Sequence, residues 1–439
     1  MTWLVATALV LGGLMACDDA APASGLTPTC DPSVTCAAES GLELAAAWPR
    51  HTIHHGLTGA DGVNLGDVNG DGLLDVVSGW EQSSKVTVSL HPGADCPCAA
   101  RDPWPTVELP ERLGSVEDAI FADVDADGRL DVIAGGEGKQ LFIYFAPDDP
   151  AQLLTPWAWT MVEVTAARDL QRWIQVAHAD LDGDGIEDIV AGGRVEPASI
   201  GYFTSATPRD AASWIWHPVG PVGCVYTLIP RDTDGDGDLD LVISDNSPLT
   251  PPAPELLGAR WLENPGGGAP GDWTSHLIQR AGGALGLMRF IEVSDTGIIA
   301  GSSSTTANVS ASSTTTDWVT WTTATIPQPS NVGQYNDVER GDLDRDGLLD
   351  LAFSYSHADG ELSGVVWLRN DGAGGWERGE ISGPDGTKYD NLVLHDVDGD
   401  GDLDVVTSEH ISNTAPPAEQ LGVIWYANPS VVEPGTLEP

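Results

Sequence analysis

The chain has 439 residues, with 66 Asp and Glu against 19 Lys and Arg, for a formal charge of −47. An acidic balance of this size without Lys/Arg clusters argues against nucleic acid as a partner, because the phosphate backbone rewards basic patches. The 41% of hydrophobic residues is enough for a sizeable core.

Residues 3–15 are apolar or small and lead into Leu14-Met15-Ala16-Cys17, which resembles the lipobox of bacterial lipoprotein signals. The reading is a signal peptide over 1–16 with Cys17 as the lipidated residue, anchoring an exported protein at the periplasm or cell surface. No Lys or Arg precedes the apolar run, so plain secretion is the alternative. The run is too short to be a comfortable membrane span, and no later segment could cross a bilayer. Residues 17–46, rich in Asp, Ala, Pro and Ser, read as a flexible tether. Compartment and spacing make Cys30 and Cys36 a candidate pair across it. Cys96 and Cys98 either close on each other or bridge elsewhere, and a zinc site there lacks further ligands. Cys224 reads as a small buried hydrophobe.

Nearly the same nine residues then recur six times, starting at Asp67, Asp123, Asp180, Asp232, Asp342 and Asp396: Asp, any, Asp or Asn, any, Asp, Gly, any, any, Asp. A hard dication wants six to eight oxygens, and alternate Asp residues in a tight turn aim carboxylates at one point. Glycine at position six permits the sharp bend, and position seven offers its backbone carbonyl. The expectation is about six calcium ions.

The loop starts are spaced by 56, 57, 52, 110 and 54 residues, so one repeat has lost its loop. A second period agrees: a Trp followed five residues later by an aliphatic, at Trp48/Ile53, Trp104/Leu109, Trp159/Val164, Trp214/Val219, Trp273/Ile278, Trp321/Ile326 and Trp376/Ile381. The missing loop falls within 290–301, and the Ser/Thr-rich stretch 302–316 reads as degenerate outer strands of that unit. Each unit reads as four strands: one entering the loop, one leaving it, a third, and the Trp segment. The chain opens on a lone fourth strand and closes on a third strand, so a ring joins them and removes both open sheet edges. The expectation is an all-β, seven-bladed β-propeller with four-stranded blades over 47–429, the N-terminal strand closing the last blade, and a short tail over 430–439.

In its loops and strand context over residues 48–428, the chain resembles the FG-GAP or VCBS repeat family, propellers also found at the head of integrin α chains. By position, the resemblance implies metal ligands at Asp67, Asn69, Asp71 and Asp75; Asp123, Asp125, Asp127 and Asp131; Asp180, Asp182, Asp184 and Asp188. The later loops give Asp232, Asp234, Asp236 and Asp240; Asp342, Asp344, Asp346 and Asp350; Asp396, Asp398, Asp400 and Asp404. In the family, partners usually bind the face opposite these loops.

The strand starts crowding that opposite mouth hold Asp61, Glu117, Asp118, Arg172, Tyr226, Asn336, Asp337, Tyr389, Asp390 and Asn391. Of these, Asp61, Asp118, Arg172, Tyr226, Asn336, Asp390 and Asn391 are the candidate ligand-binding residues. His51 and His55 share a strand face, and a metal pair there competes with plain strand packing. The leading reading is a monomeric, calcium-stabilised, non-enzymatic surface module for adhesion, recognising protein or glycan. Its expected contacts are the Pro-rich loops 245–258 and 409–421, and its only membrane contact the lipid anchor. The alternative is a carbohydrate-active enzyme, lyase or hydrolase, centred on the channel mouth.

Overall fold

The structure, a computed structural model, describes residues 42–93, 97–110, 112–246, 257–267, 271, 273–280, 287–303, 308–410 and 420–429. Cys17, Cys30, Cys36, Cys96 and most of both Pro-rich loops lie outside these residues. Apart from short 3-10 turns, every described element is a strand.

Five antiparallel sheets have four strands each and one has six. The larger sheet contains two 17-residue strands, Asp188–Thr204 and Ile215–Arg231, each shared between two neighbours. Residues 215–224 of the latter pair back onto Asp188–Thr204, while residues 225–231 pair forward onto Asp240–Asp245. One strand thus ends the third unit and begins the fourth.

The inner strands pack side by side in chain order. Ala60–Gly66 meets Val116–Ala122, followed by Arg172–Ala179, Ile215–Arg231, Leu287–Ser294, Gln334–Gly341 and Tyr389–His395, which returns to Ala60–Gly66. Sheets radiating from a closed set of inner strands make this a β-propeller. Closure uses the N-terminal strand Arg50–His54, which pairs antiparallel with Gly422–Tyr426, Arg50 opposite Tyr426 and Thr52 opposite Ile424. The second strands, such as Asp75–Trp80 and Asp131–Gly136, are buried at every position. A sheet covered on both faces needs apolar residues on both, which is why these segments show no clean alternation in sequence.

The tryptophan period has a physical cause. All seven aliphatic partners, from Ile53 to Ile381, are buried. At three junctions the Trp amide donates to the carbonyl of the preceding unit's partner: Trp48 to Ile381 at 2.9 Å, Trp104 to Ile53 at 2.9 Å, and Trp273 to Val219 at 2.8 Å. The motif therefore ties the outer strands of adjacent units. In the fifth unit, Trp318 is buried and Trp321 packs against it edge-on at 5.2 Å.

That unit replaces the nine-residue loop with a tight turn. Ser294 pairs directly with Gly297, and the Ser/Thr-rich segment supplies its third strand, Asn308–Thr314. The tether is shorter than the sequence indicates. Leu42 and Leu44 pack on the cluster around Trp48 and Trp367, and Leu44 carbonyl accepts Glu380 amide at 2.7 Å.

Candidate functional site

Each of the six loops is wound by its own carboxylates. Asp67 Oδ1 accepts the amides of Gly70 and Asp71 at 2.8 and 3.0 Å, and its Oδ2 accepts Gly72 at 2.9 Å. Position six is left-handed throughout, with φ of 88° at Gly72 and 94° at Gly401. Position four is left-handed too, which strains Ala126 and Arg345 where other loops have glycine.

The Asp at position nine is buried and double-hinged. Asp75 accepts Val68 amide at 2.9 Å from the loop and His91 amide at 2.8 Å from the end of the third strand. Asp404 does the same with Val397 and Asn428, both at 2.8 Å. Burial first, then neighbouring loop carboxylates, push Asp75 and Asp188 up to about 7 despite these amides. Carboxylate oxygens lie within 4.8 Å of one another in the sets Asp123/Asp125/Asp127, Asp180/Asp182/Asp188, Asp232/Asp234/Asp236 and Asp342/Asp344/Asp350. Asp125 Oδ1, Asp342 Oδ1 and Asp398 Oδ1 are buried without a hydrogen-bond partner. An all-oxygen donor set with buried, unsatisfied carboxylate oxygens fits a hard dication.

At the other end of each inner strand the backbone bulges. All seven inner strands shift register near their start, for example between Val116 and Asp118 and between Tyr335 and Asp337. A bulge re-aims side chains, and here it separates two adjacent positions into different roles.

Five residues before each loop stand Gly62, Asp118, Gln175, Thr227, Asp337 and Asn391. Four of them latch onto the next inner strand. Asp118 accepts Val176 amide at 2.9 Å, Thr227 accepts Ile291 at 2.9 Å, and Asp337 accepts Leu392 at 3.0 Å. Asn391 grips Val63 on both sides, accepting its amide and donating to its carbonyl, each at 2.8 Å. Gly62 has no side chain, and Asn64 serves instead by donating to Ala119 carbonyl at 2.9 Å. Asp118 and Asn391, expected to bind ligand, border the central cavity, and their side chains also hold the ring together.

One residue earlier stand Asp61, Glu117, Tyr226, Asn336 and Asp390. Asp61, Glu117, Tyr226 and Asp390 line a central cavity of about 230 Å³, together with Asp118, Gln175, Thr227, Asp337 and Asn391 from position five and with Phe290 and Glu339. Asn336 is fully buried beside it, donating to Tyr389 carbonyl at 2.6 Å and Asp390 Oδ1 at 3.1 Å and accepting from Arg289 at 2.7 Å. Arg172 lies at the rim, 43% exposed, and pairs with Glu137 at 3.1 Å. Tyr389 belongs to the core, its hydroxyl 2.9 Å from that of Tyr426.

Beyond Arg172, the cations of the mouth were not singled out from sequence. Lys388 Nζ lies 3.4 Å from Asp61 and 3.1 Å from Asp390, and His410 Nε2 lies 3.3 Å from the same Asp390 oxygen. Arg194 reaches Glu137 and stands 3.8 Å from Glu117. Burial, then Asp61, push Glu117 up to about 8 against the pull of Arg194. Burial and the Asp390 carboxylate raise Asp61 to about 7, Lys388 opposing. The signal for Lys388 was its position two residues before Asp390; His410 directly follows the last unit's second strand, Asp404–Glu409, and meets them only through the fold.

The histidines of the closing strand pack on aromatic rings: His51 lies 4.7 Å from Trp425, and His54 meets Trp80 edge-on at 5.4 Å. Cys98 is disulfide-bonded, which opposes a zinc role for it. Cys224 is buried and free, as the sequence indicated, although its neighbours include Tyr226 and Asp245.

A protein-family model described as FG-GAP-like repeat matches residues 67–134 and 342–407. The chain carries FG-GAP-like repeats. Those spans cover the first two loops and the last two. No curated protein matches the sequence. Among solved structures, BBS1N in complex with ARL6DN aligns over 88% of this chain and 99% of its own, at 10% identity and a TM-score of 0.51. A Lactobacillus plantarum protein aligns over 74% and 86% at 12% identity and 0.45, and the Dos1 propeller over 80% and 74% at 9% and 0.46. At such identities the likeness to BBS1N speaks for the fold alone. Among the described residues, no helix is long and apolar enough to cross a membrane.

Proposed function

We propose that this FG-GAP-like repeat protein is a seven-bladed, calcium-stabilised binding module that takes a protein or glycan ligand at the mouth of its central channel. The observation that carries this reading is the polar cavity that the bulged strand starts enclose. Position six presents Asp61, Glu117, Tyr226 and Asp390 to a cavity of about 230 Å³, and position five, which also borders it, latches the ring through Asp118, Thr227, Asp337 and Asn391. Charged groups with both signs at a concave, partly buried mouth are what polar ligand recognition needs. The six loops sit at the far end of the same strands, and their donor sets support a structural role for calcium. The neighbour BBS1N is crystallised in complex with ARL6DN, a partner carried by a fold of this kind. A lipid at Cys17 would place such a module on an exported, membrane-anchored monomer.

The alternative, a carbohydrate-active enzyme at the same mouth, draws on the Asp61–Asp390 pair, whose two carboxyls are held at different protonation tendencies by Lys388 and burial. A glycan array run beside a polysaccharide-cleavage assay separates the two. Binding without turnover supports the module, and turnover lost in Asp390→Asn supports the enzyme. For the module, Arg172→Ala with Glu117→Gln weakens binding at nearly unchanged Tm, whereas Asp400→Asn with Asp404→Asn lowers Tm first. Binding lost only in the loop variant, at full stability, would move the site to the calcium rim.

A further inference from the structure

We propose that Asp61, Asp390 and His410 form a second kind of cation site, at the channel mouth, for a divalent transition metal of the zinc class. One donor atom from each of these residues lies within 4.8 Å of the others. Unlike the loops, the set includes an imidazole. Nitrogen with carboxylate oxygen favours zinc or its neighbours over calcium, which prefers oxygen alone.

His410 points to an absent partner. It is 3% exposed; Nε2 pairs with Asp390 Oδ2 at 3.3 Å, while Nδ1 has no hydrogen-bond partner. A buried imidazole nitrogen without a partner is costly, and a bound metal ion that recruits the ring removes that cost. Asp61 and Asp390 stand side by side from the first and last inner strands, so the site exists only because the ring closes. Lys388 holds both carboxylates at 3.1–3.4 Å and is 21% exposed. Its flexible stem allows the ammonium to swing outward when a metal enters, which makes it a competitor for the site. Three protein donors leave a coordination position for an oxygen of a ligand in the adjoining cavity.

The test is a calorimetric zinc titration of the full chain saturated with calcium, so that the loops are already filled. One zinc per chain is expected, lost in His410→Ala. Lys388→Met, which removes the competing charge, binds zinc roughly tenfold tighter or more. No zinc binding by the parent overturns the proposal, as does zinc held equally by His410→Ala. Should His410→Ala fail to fold, Lys388→Met decides alone: unchanged or weaker affinity overturns the site. The readout is metal uptake, so a negative result leaves the reading of the mouth as a ligand face standing.

Discussion

Asn391 shows how little separates a recognition residue from a structural one in this fold. Its amide spans the junction between last and first inner strands and satisfies both polar groups of Val63, a residue with no exposure at all. Asn391→Ala leaves a buried amide and carbonyl unpaired, so it costs about 1–3 kcal/mol of stability, read as a lower midpoint in urea. An unchanged midpoint would show that the latch carries no load. Glu339 makes a pH-dependent counterpart. Burial first, then the Asp337 and Glu292 carboxylates, hold it well above its usual value of 4.5. The folded protein therefore keeps a proton that the unfolded chain releases, and stability falls as pH rises from about 4.5. Glu339→Gln fixes the neutral form. With calcium held constant, its Tm should exceed the parent's at about pH 8, and the gap should close toward pH 4.5 and below. A gap that is constant with pH would remove Glu339 as its source.

Among the elements, the strand Arg50–His54 has the clearest task. It covers the edge of Gly422–Tyr426, which carries Ile424 and Trp425. Deleting residues 1–41 leaves every described contact in place and should not change Tm. Deleting 1–46 also removes Leu42 and Leu44 from the Trp48 cluster, at about 1–3 kcal/mol. Deleting 1–56 opens the last sheet to edge pairing and should produce aggregation, visible by light scattering. Equal behaviour of all three truncations would contradict closure by this strand. The ring was legible in sequence because its signals repeat: the Asp loops mark one end of each inner strand, and Trp with its aliphatic partner marks the outer strand. The mouth was legible only as a place. Asp390 and Asn391 are adjacent in sequence and both border the cavity, but across the bulge Asn391 grips Val63 while Asp390 meets Lys388 and His410, a distinction no spacing encodes. His410 lies outside the repeated motif and reaches Asp390 through tertiary contact, so no local pattern announces it.

For the whole molecule, the loops are linked as well as repeated. In three units a residue just past the third strand donates its amide to the position-nine Asp of its own unit and bonds by its side chain to the loop of the unit before. His91 reaches Val397 carbonyl at 2.9 Å, Asn264 reaches Leu181 at 2.9 Å, and Asn428 reaches Leu343 at 2.8 Å. Loop order is thereby passed between neighbours, including across the closing junction. In calcium's absence, three to five carboxylates in one turn repel one another, so chelation should lower Tm for the ring as a unit. The claim on which this rests is that six loops, and not the tight turn Ser294–Gly297, hold structural ions. Metal analysis of protein dialysed against trace calcium tests it directly. Six calcium ions per chain are expected, and one or two would contradict structural ions in all six loops.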